Sequence, residues 1–405
     1  MTTGTTSAAP QRSAEVDDLV ARTRAFVREE VVPVEDRHDG DITAAGGDVL
    51  RRQLQARALE LGLLAPHGPV EYGGHGLSMR ERARVFEEAG YALFGAMAIN
   101  AAAPDEGNMH LLDRIATPEQ RERFLAPLVR AEARSAFAMT EPAPGAGSDP
   151  SALRTIAVRT PGGWRIEGQK VFITGADGAD FFIIMARTSG EPGERGGGTM
   201  FLAPASSPGL RVGRHVPTMD RSMVGGHCEV SFDGLEVTAN AVLGEVDEGF
   251  RYVQVRLGPA RMTHVMRWLG AAVRAHETAL DYALERRSMG ARLTDQGLAQ
   301  HLIAENEIDL AATRALLDVA CTALDSGSPA AQETSIAKTF GAEAIGRVVD
   351  RSLQLCGGMG TSADLPIARI AREVRPFRVY DGPSEVHRFA IAKRAASAAR
   401  RRVQG

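Results

Sequence analysis

Cysteine is nearly missing from this 405-residue chain, which holds only Cys228, Cys321 and Cys356. These are too few and too dispersed for a disulfide framework. None has the short paired spacing of a zinc site, so they read as buried free thiols, and no metal centre is expected. No uncharged apolar run approaches bilayer-spanning length. The opening MTTGTTSAAP lacks the basic start and apolar core of a secretion signal, so a reducing cytoplasm is the expected compartment. Neither sign of charge dominates: 47 basic against 51 acidic side chains leave a formal charge of -4. No global basic field recruits nucleic acid. A local basic bias from Thr361 onward reads as a solvated helix face, with an anionic-ligand site as the sharper alternative. There is no Walker loop and no GxGxxG, so ATP and a Rossmann-bound nicotinamide are poorly supported. Without HExxH or GxSxG, zinc and serine hydrolase chemistry are disfavoured as well.

What is present is a long, ordinary globular composition, 44% hydrophobic and 24% charged, in more residues than one domain usually takes. Three stretches differ in period. Residues 1–12 are expected to be disordered. From 13 to 135 the apolar spacing is helical, as in Val16, Leu19, Val20, Phe26 and Val27. Ser78 with Glu81, and Thr117-Pro118-Glu119-Gln120, carry the marks of helix starts. From 136 to 245 short runs rich in branched and aromatic residues alternate with glycine and proline, and PGG after TIAVRT predicts a hairpin. From 246 to 405 the helical period returns, for instance in Val265, Leu269, Val273, His276 and Leu280. The fold class is therefore mainly α with a central β domain, closing in a four-helix bundle.

Three blocks offer chemistry. AMTEPAPGAGSDP (138–150) holds the hydroxyls of Thr140 and Ser148, the Glu141 carboxylate and glycines that free backbone amides for a ligand. An ordinary surface loop has the same composition. In GQKVFITG (168–175), Phe172 and Thr174 share strand parity, as a cofactor wall or an inward-facing core pair would require. QLCGGMG (354–360) precedes RVYDGPSEVHR (378–388), in which Asp381 sits before Gly382-Pro383. On pattern alone a helix cap is the preferred role for Asp381, although Ser384 can cap instead. His387 lies six residues on, which is not the spacing of adjacent helix faces, so no Asp–His relay is read between them.

In this order, AMTEP with GSD, GQKxFITG, QxxGGxG and YDG resemble the acyl-CoA dehydrogenase family, from about Ala14 to Lys393. The resemblance implies an N-terminal helical domain, a β-barrel-like central domain, a C-terminal four-helix bundle and a homodimer or homotetramer. It also implies noncovalent FAD, an acyl-CoA substrate and an electron-transfer flavoprotein as electron acceptor. Thr140 and Ser148 match cofactor-contacting positions, although TEPAPGAGSD is longer than the common form. Phe172 falls where an aromatic covers the flavin, and Thr174 matches a flavin-facing threonine. Arg286 matches an arginine that grips the FAD of a neighbouring subunit, with Met289 in place of the usual phenylalanine. Gln296 stands one position early. Gln354, Gly357 and Gly358 match a second FAD-contacting segment.

Most members have glutamate where Asp381 stands. Others place it just before the arginine matched by Arg261, and there this chain has Ala260. Asp381 is thus the implied base, with Arg261 as a charge-orienting partner, and APDEGNM and LGPAR suggest a branch in which aspartate is usual. A free aspartate, near pKa ~3.9, is a weak base, so burial against substrate and flavin is expected to raise it. An acyl-CoA oxidase, a flavin monooxygenase on the same scaffold and a non-catalytic CoA-binding or scaffold protein are the alternatives.

Overall fold

The computed structural model describes residues 8–404. Residues 1–7 of the segment expected to be disordered lie outside that range. The rest of it is helical, because helix α1 runs Ala8–Phe26. Helices α2 (Asp48–Glu60), α3 (Met79–Gly90) and α4 (Asp105–Ile115) follow. Both expected helix starts are full capping boxes. Ser78 accepts from the Glu81 amide while the Glu81 carboxylate accepts from the Ser78 amide, and Thr117 and Gln120 do the same.

Eight strands come next: β1 (Ser135–Ala138), β2 (Ile156–Thr160), β3 (Gly163–Thr174), β4 (Phe181–Arg187), β5 (Gly198–Pro204), β6 (Leu210–His215), β7 (His227–Thr238) and β8 (Val242–Leu243). They form one mixed sheet in the order β6-β7-β3-β2-β4-β5-β8, with β1 parallel to β4. The hairpin predicted at PGG joins β2 to β3, closing on the pair Thr160 and Gly163. Every residue of β4 is buried, which explains why FFIIMAR does not alternate.

The chain returns to helix in α5 (Gly249–Glu285), α6 (Gly297–Asp325) and α7 (Ala331–Cys356). The short α8 (Ile367–Val374) and the terminal α9 (Ser384–Gln404) complete it. At 37 residues, α5 is about 55 Å long. Helices α5, α6, α7 and α9 make the bundle, and α3 crosses α5 at backbone contact. A Cβ on Gly90 would fall 2.0 Å from the Arg267 carbonyl, and one on Gly270 would fall 2.0 Å from that of Glu87.

One apolar core runs through both helical parts and a second fills the sheet. Cys228, Cys321 and Cys356 are buried and unpaired. Buried carboxylates tie the parts together. Glu35 accepts from the Leu93 amide at 2.5 Å and from Arg274 of α5 at 2.8 Å. Glu373 of α8 accepts from the Arg221 amide at 2.5 Å and from Ser222 Oγ at 2.6 Å. No helix among the described residues is long and apolar enough to cross a membrane.

Candidate active site

The turn Tyr380-Asp381-Gly382 lies between α8 and α9, and its backbone is left-handed at two residues, with φ +52° at Asp381 and +95° at Gly382. A Cβ on residue 382 would lie 2.8 Å from His387 Nε2, so glycine is required there for space as well as conformation. Three donors hold the turn by its carbonyls. Arg261 Nε and His387 Nε2 reach the Asp381 oxygen at 3.0 and 3.1 Å, and Lys338 Nζ of α7 reaches that of Gly382 at 2.7 Å. With the backbone gripped this way, the Asp381 carboxylate faces α5. It does not cap α9.

On α5 the carboxylate meets His264, whose Nε2 is 3.0 Å from Asp381 Oδ2. The pair is close but not aligned as a hydrogen bond. Oδ2 and His264 Nδ1 are both buried without a hydrogen-bond partner. Burial pushes Asp381 upward, but His264, Arg256 and Arg261 outweigh it and hold the carboxyl below its ordinary range. In the protein alone the local field is cationic and outweighs the effect of burial. Burial, with Arg267 nearby, lowers His264 to about 4, so its imidazole is neutral near pH 7. A neutral histidine beside an ionised aspartate is the protonation state this field favours. His264 packs edge-on to Tyr380, whose hydroxyl accepts from Trp268 Nε1 and, at 3.3 Å, from Arg267.

Arg256 links this turn to the sheet. It donates to Asn108 Oδ1 of α4 at 2.8 Å and lies 4.2 Å from the ring centre of Phe137 in β1. Thr140 follows two residues after that strand ends. Its carbonyl accepts from the Val171 amide at 2.9 Å, which sets it beside Phe172. A buried ion pair joins the two motifs: Lys170 Nζ is 2.9 Å from Glu141. The Glu141 carboxylate also accepts from the amides of Ala146, Arg154 and Thr155 at 3.0, 2.7 and 2.8 Å. Burial opposes its ionisation, yet Lys170 and these donors bring its pKa to about 2.

Phe172 is neither an inward core residue nor a regular strand residue. A register shift between Lys170 and Ile173 interrupts β3 there, with φ +57° at Phe172, and the ring is 53% exposed. The shared-parity argument therefore does not hold across the bulge. Thr174 Oγ1 is 2.9 Å from His227 Nδ1, and His227 Nε2 is 2.7 Å from Asp220.

The remaining sequence candidates lie apart from Asp381. Ser148 is on an exposed loop. Arg286 is exposed just past the end of α5, 25 residues beyond Arg261, or about 37 Å along a helix. Gln296 donates to the Ser288 carbonyl at 2.8 Å. Gln354, Gly357 and Gly358 are exposed at the end of α7, with no atom within 4 Å of either glycine's Cβ position. A cavity of about 680 Å³ between residues 41–48 and 215–227 contains none of these candidates. Sequence reasoning missed His264, Lys338, Arg256 and Arg267. The first had a signal, since it stands three residues after Arg261 on one helix face; Lys338 had none.

Comparison with known proteins agrees with this arrangement over nearly the whole chain. Residues 13–132, 136–235 and 247–396 match the N-terminal, middle and C-terminal domains of acyl-CoA dehydrogenases. "Probable acyl-CoA dehydrogenase FadE2" of Mycobacterium tuberculosis is 34% identical over 94% of this chain and 95% of its own length. (R)-benzylsuccinyl-CoA dehydrogenase of Thauera aromatica is 34% identical over 92% of this chain and 93% of its own. The structure of butyryl-CoA dehydrogenase from Megasphaera elsdenii superposes with a TM-score of 0.84 at 25% identity, covering 98% of this chain and 100% of that one. With three domain matches in one order and relatives aligned almost end to end, the chain belongs to the acyl-CoA dehydrogenase family and is an oxidoreductase of that type, acting on an acyl-CoA.

Proposed function

We propose that this enzyme carries out α,β-dehydrogenation of an acyl-CoA thioester, Asp381 removing the α proton, for which a bound FAD would supply the acceptor of the β hydride. One observation carries the assignment: a partly buried carboxylate held on a left-handed turn, with its Oδ2 buried, facing α5 and without a hydrogen-bond partner. Such an oxygen is desolvated, ionised and free to accept a proton. Ala260, the other position at which the family carries a base, has no carboxylate to offer. The side chains present fit a flavin. Phe172 presents an apolar ring on a bulge, Thr140 accepts through its carbonyl from the adjacent Val171 amide and Thr174 stands two residues on, each with a hydroxyl, and the open backbone of Gly357-Gly358 leaves room for close approach. FAD, when bound, supplies the two-electron acceptor. The chain's part is to hold the α carbon at the Asp381 carboxylate, and its backbone amide at residue 381 is a donor for the thioester oxygen. Arg261 and Lys338 keep that turn fixed. Residues 13–135, 136–245 and 246–405 act as three domains around this site, Arg286 and Gln296 serve the FAD of a neighbouring copy, and an electron-transfer flavoprotein receives the electrons.

Asp381→Asn is expected to keep its yellow flavin but lose about 10²–10⁴-fold in the rate of anaerobic flavin bleaching by a reactive acyl-CoA. Bleaching at the wild-type rate removes the base assignment. Mixing reduced enzyme with air then separates dehydrogenase from oxidase, which would release peroxide rapidly.

A further inference from the structure

We infer that Arg267 forms an anion subsite in the acyl pocket, so that the preferred substrate is an acyl-CoA whose chain bears a carboxylate or similar anionic group a few carbons beyond the reacting bond. This rests on the dehydrogenase reading above and adds the chemistry of the acyl chain to it.

The contrast among the inward-facing arginines of α5 motivates it, Arg256 and Arg274 being buried and Arg261 and Arg267 partly so. Arg256 has the Asn108 amide oxygen, Arg261 the Asp381 carbonyl and Arg274 the carboxylates of Glu35 and Asp36. Arg267 has only a 3.3 Å contact to the Tyr380 hydroxyl and the face of the Trp268 ring at 4.7 Å. Its Nε is buried with no partner, and no ion pair to it occurs among the described residues. The Glu106 carboxylate feels its charge, but no hydrogen bond joins the two: Glu106 accepts from Thr263 Oγ1 at 2.9 Å through Oε2, and its Oε1 is buried without a partner. A partly buried guanidinium with a desolvated, unpartnered Nε and one long hydrogen bond is suited to a carboxylate, which can accept two of its donors at once.

Its position points the same way. Arg267 is the one charged side chain on a cavity of about 20 Å³ otherwise walled by groups such as Leu93, Ala96, Met97, Ala102 and Met223. That volume is about the space of one water molecule, so it marks where a chain's terminal group would meet Arg267 and does not hold the chain's body. Arg267 follows His264, the neighbour of Asp381, by three residues on α5, a rise of about 4.5 Å. The anion would therefore lie one helical step past the carbon that loses its proton, with Tyr380 between them. A neutral alkyl end there would leave Arg267 Nε desolvated and unpaired.

The test uses matched pairs of equal carbon number: succinyl- with butyryl-CoA, glutaryl- with pentanoyl-CoA, and adipyl- with hexanoyl-CoA. Binding is measured by calorimetry on FAD-loaded Asp381→Asn protein, in which turnover does not interfere, and flavin bleaching is followed in parallel on protein with Asp381 intact. At least one anionic member is expected to bind about tenfold or more tighter than its neutral partner. Arg267→Gln should erase that ratio, and Arg267→Lys should restore part of it. Equal or tighter binding of the neutral member throughout, or a ratio that Arg267→Gln leaves untouched, overturns the subsite. If the anionic member binds preferentially but no acyl-CoA bleaches the flavin, the subsite stands and the dehydrogenase reading is what fails.

Discussion

Asp381 adopts a backbone conformation that few side chains other than asparagine, aspartate and glycine visit. The cost is met by the three donors on the turn's carbonyls, and the outcome is an orientation that no freely rotating aspartate would keep. The surrounding charges have a consequence that kinetics can read. The carboxyl is held below its ordinary range, so the base form persists as pH falls and is lost only through that depressed value. Since kcat/KM reports the free enzyme, its pH profile should show no acid limb belonging to Asp381 between neutrality and the ordinary carboxylate range. In His264→Phe the largest opposing contact disappears and burial gains weight, so an acid limb should move upward into view. An acid limb near neutrality in the unmodified enzyme that His264→Phe leaves in place would mean that another group is the base. Gly382→Ala tests the turn itself. It combines φ +95° with a 2.8 Å approach to His387 and should cost about 1–3 kcal/mol in denaturant unfolding.

At the level of elements, the loop from Thr140 to Asp149 and strand β3 behave as one piece because of Glu141 and Lys170. Their side chains are 2% and 0% exposed, so solvent does not screen the pair. Removing one partner leaves the other charged and buried, and Glu141→Gln should destabilise the fold by about 3–5 kcal/mol while also weakening FAD retention. Adding Lys170→Met should recover much of the stability. If Glu141→Gln alone melts like the unmodified protein, the pair is not what fastens the loop. The pH direction is set by the carboxylate, whose folded pKa of about 2 lies below its unfolded value near 4.5. Its contribution is complete above the unfolded value and fades as pH falls toward the folded one. The elements themselves were legible in the sequence because period, caps and the PGG turn are local signals. Ser78 with Glu81 is a three-residue pattern, readable without the fold. The bulge at Phe172 was not, since a register shift depends on the partner strand β7, and strand parity then gives the wrong facing. The Asp381–His264 contact spans 117 positions, so nothing near Asp381 announces it.

Across the whole molecule, the assigned cofactor positions fall at separated places in one chain. Arg261 lies about a third of the way along α5 and holds the Asp381 turn, whereas Arg286 is about 37 Å further along that helix axis. Beside it Met289 is 97% exposed and Leu298 is 87% exposed, an apolar tip that the described residues leave uncovered. A single copy therefore does not bring Arg286 to its own Asp381 turn, whereas in the proposed pairing a symmetry-related copy would do so twice over. The idea has a decisive form. Asp381→Asn should abolish turnover in its own site, and Arg286→Ala should empty the site it serves. When the two variants are co-expressed, a mixed pair holds one site with both defects and one site with neither. Random pairing makes half of the pairs mixed, so about a quarter of the unmodified activity should return from two inactive parents. If Arg286 serves its own chain, each site of a mixed pair carries one defect and no activity returns. Flavin content tracks the same arithmetic without relying on catalysis, because only sites facing Arg286→Ala should lose the yellow colour.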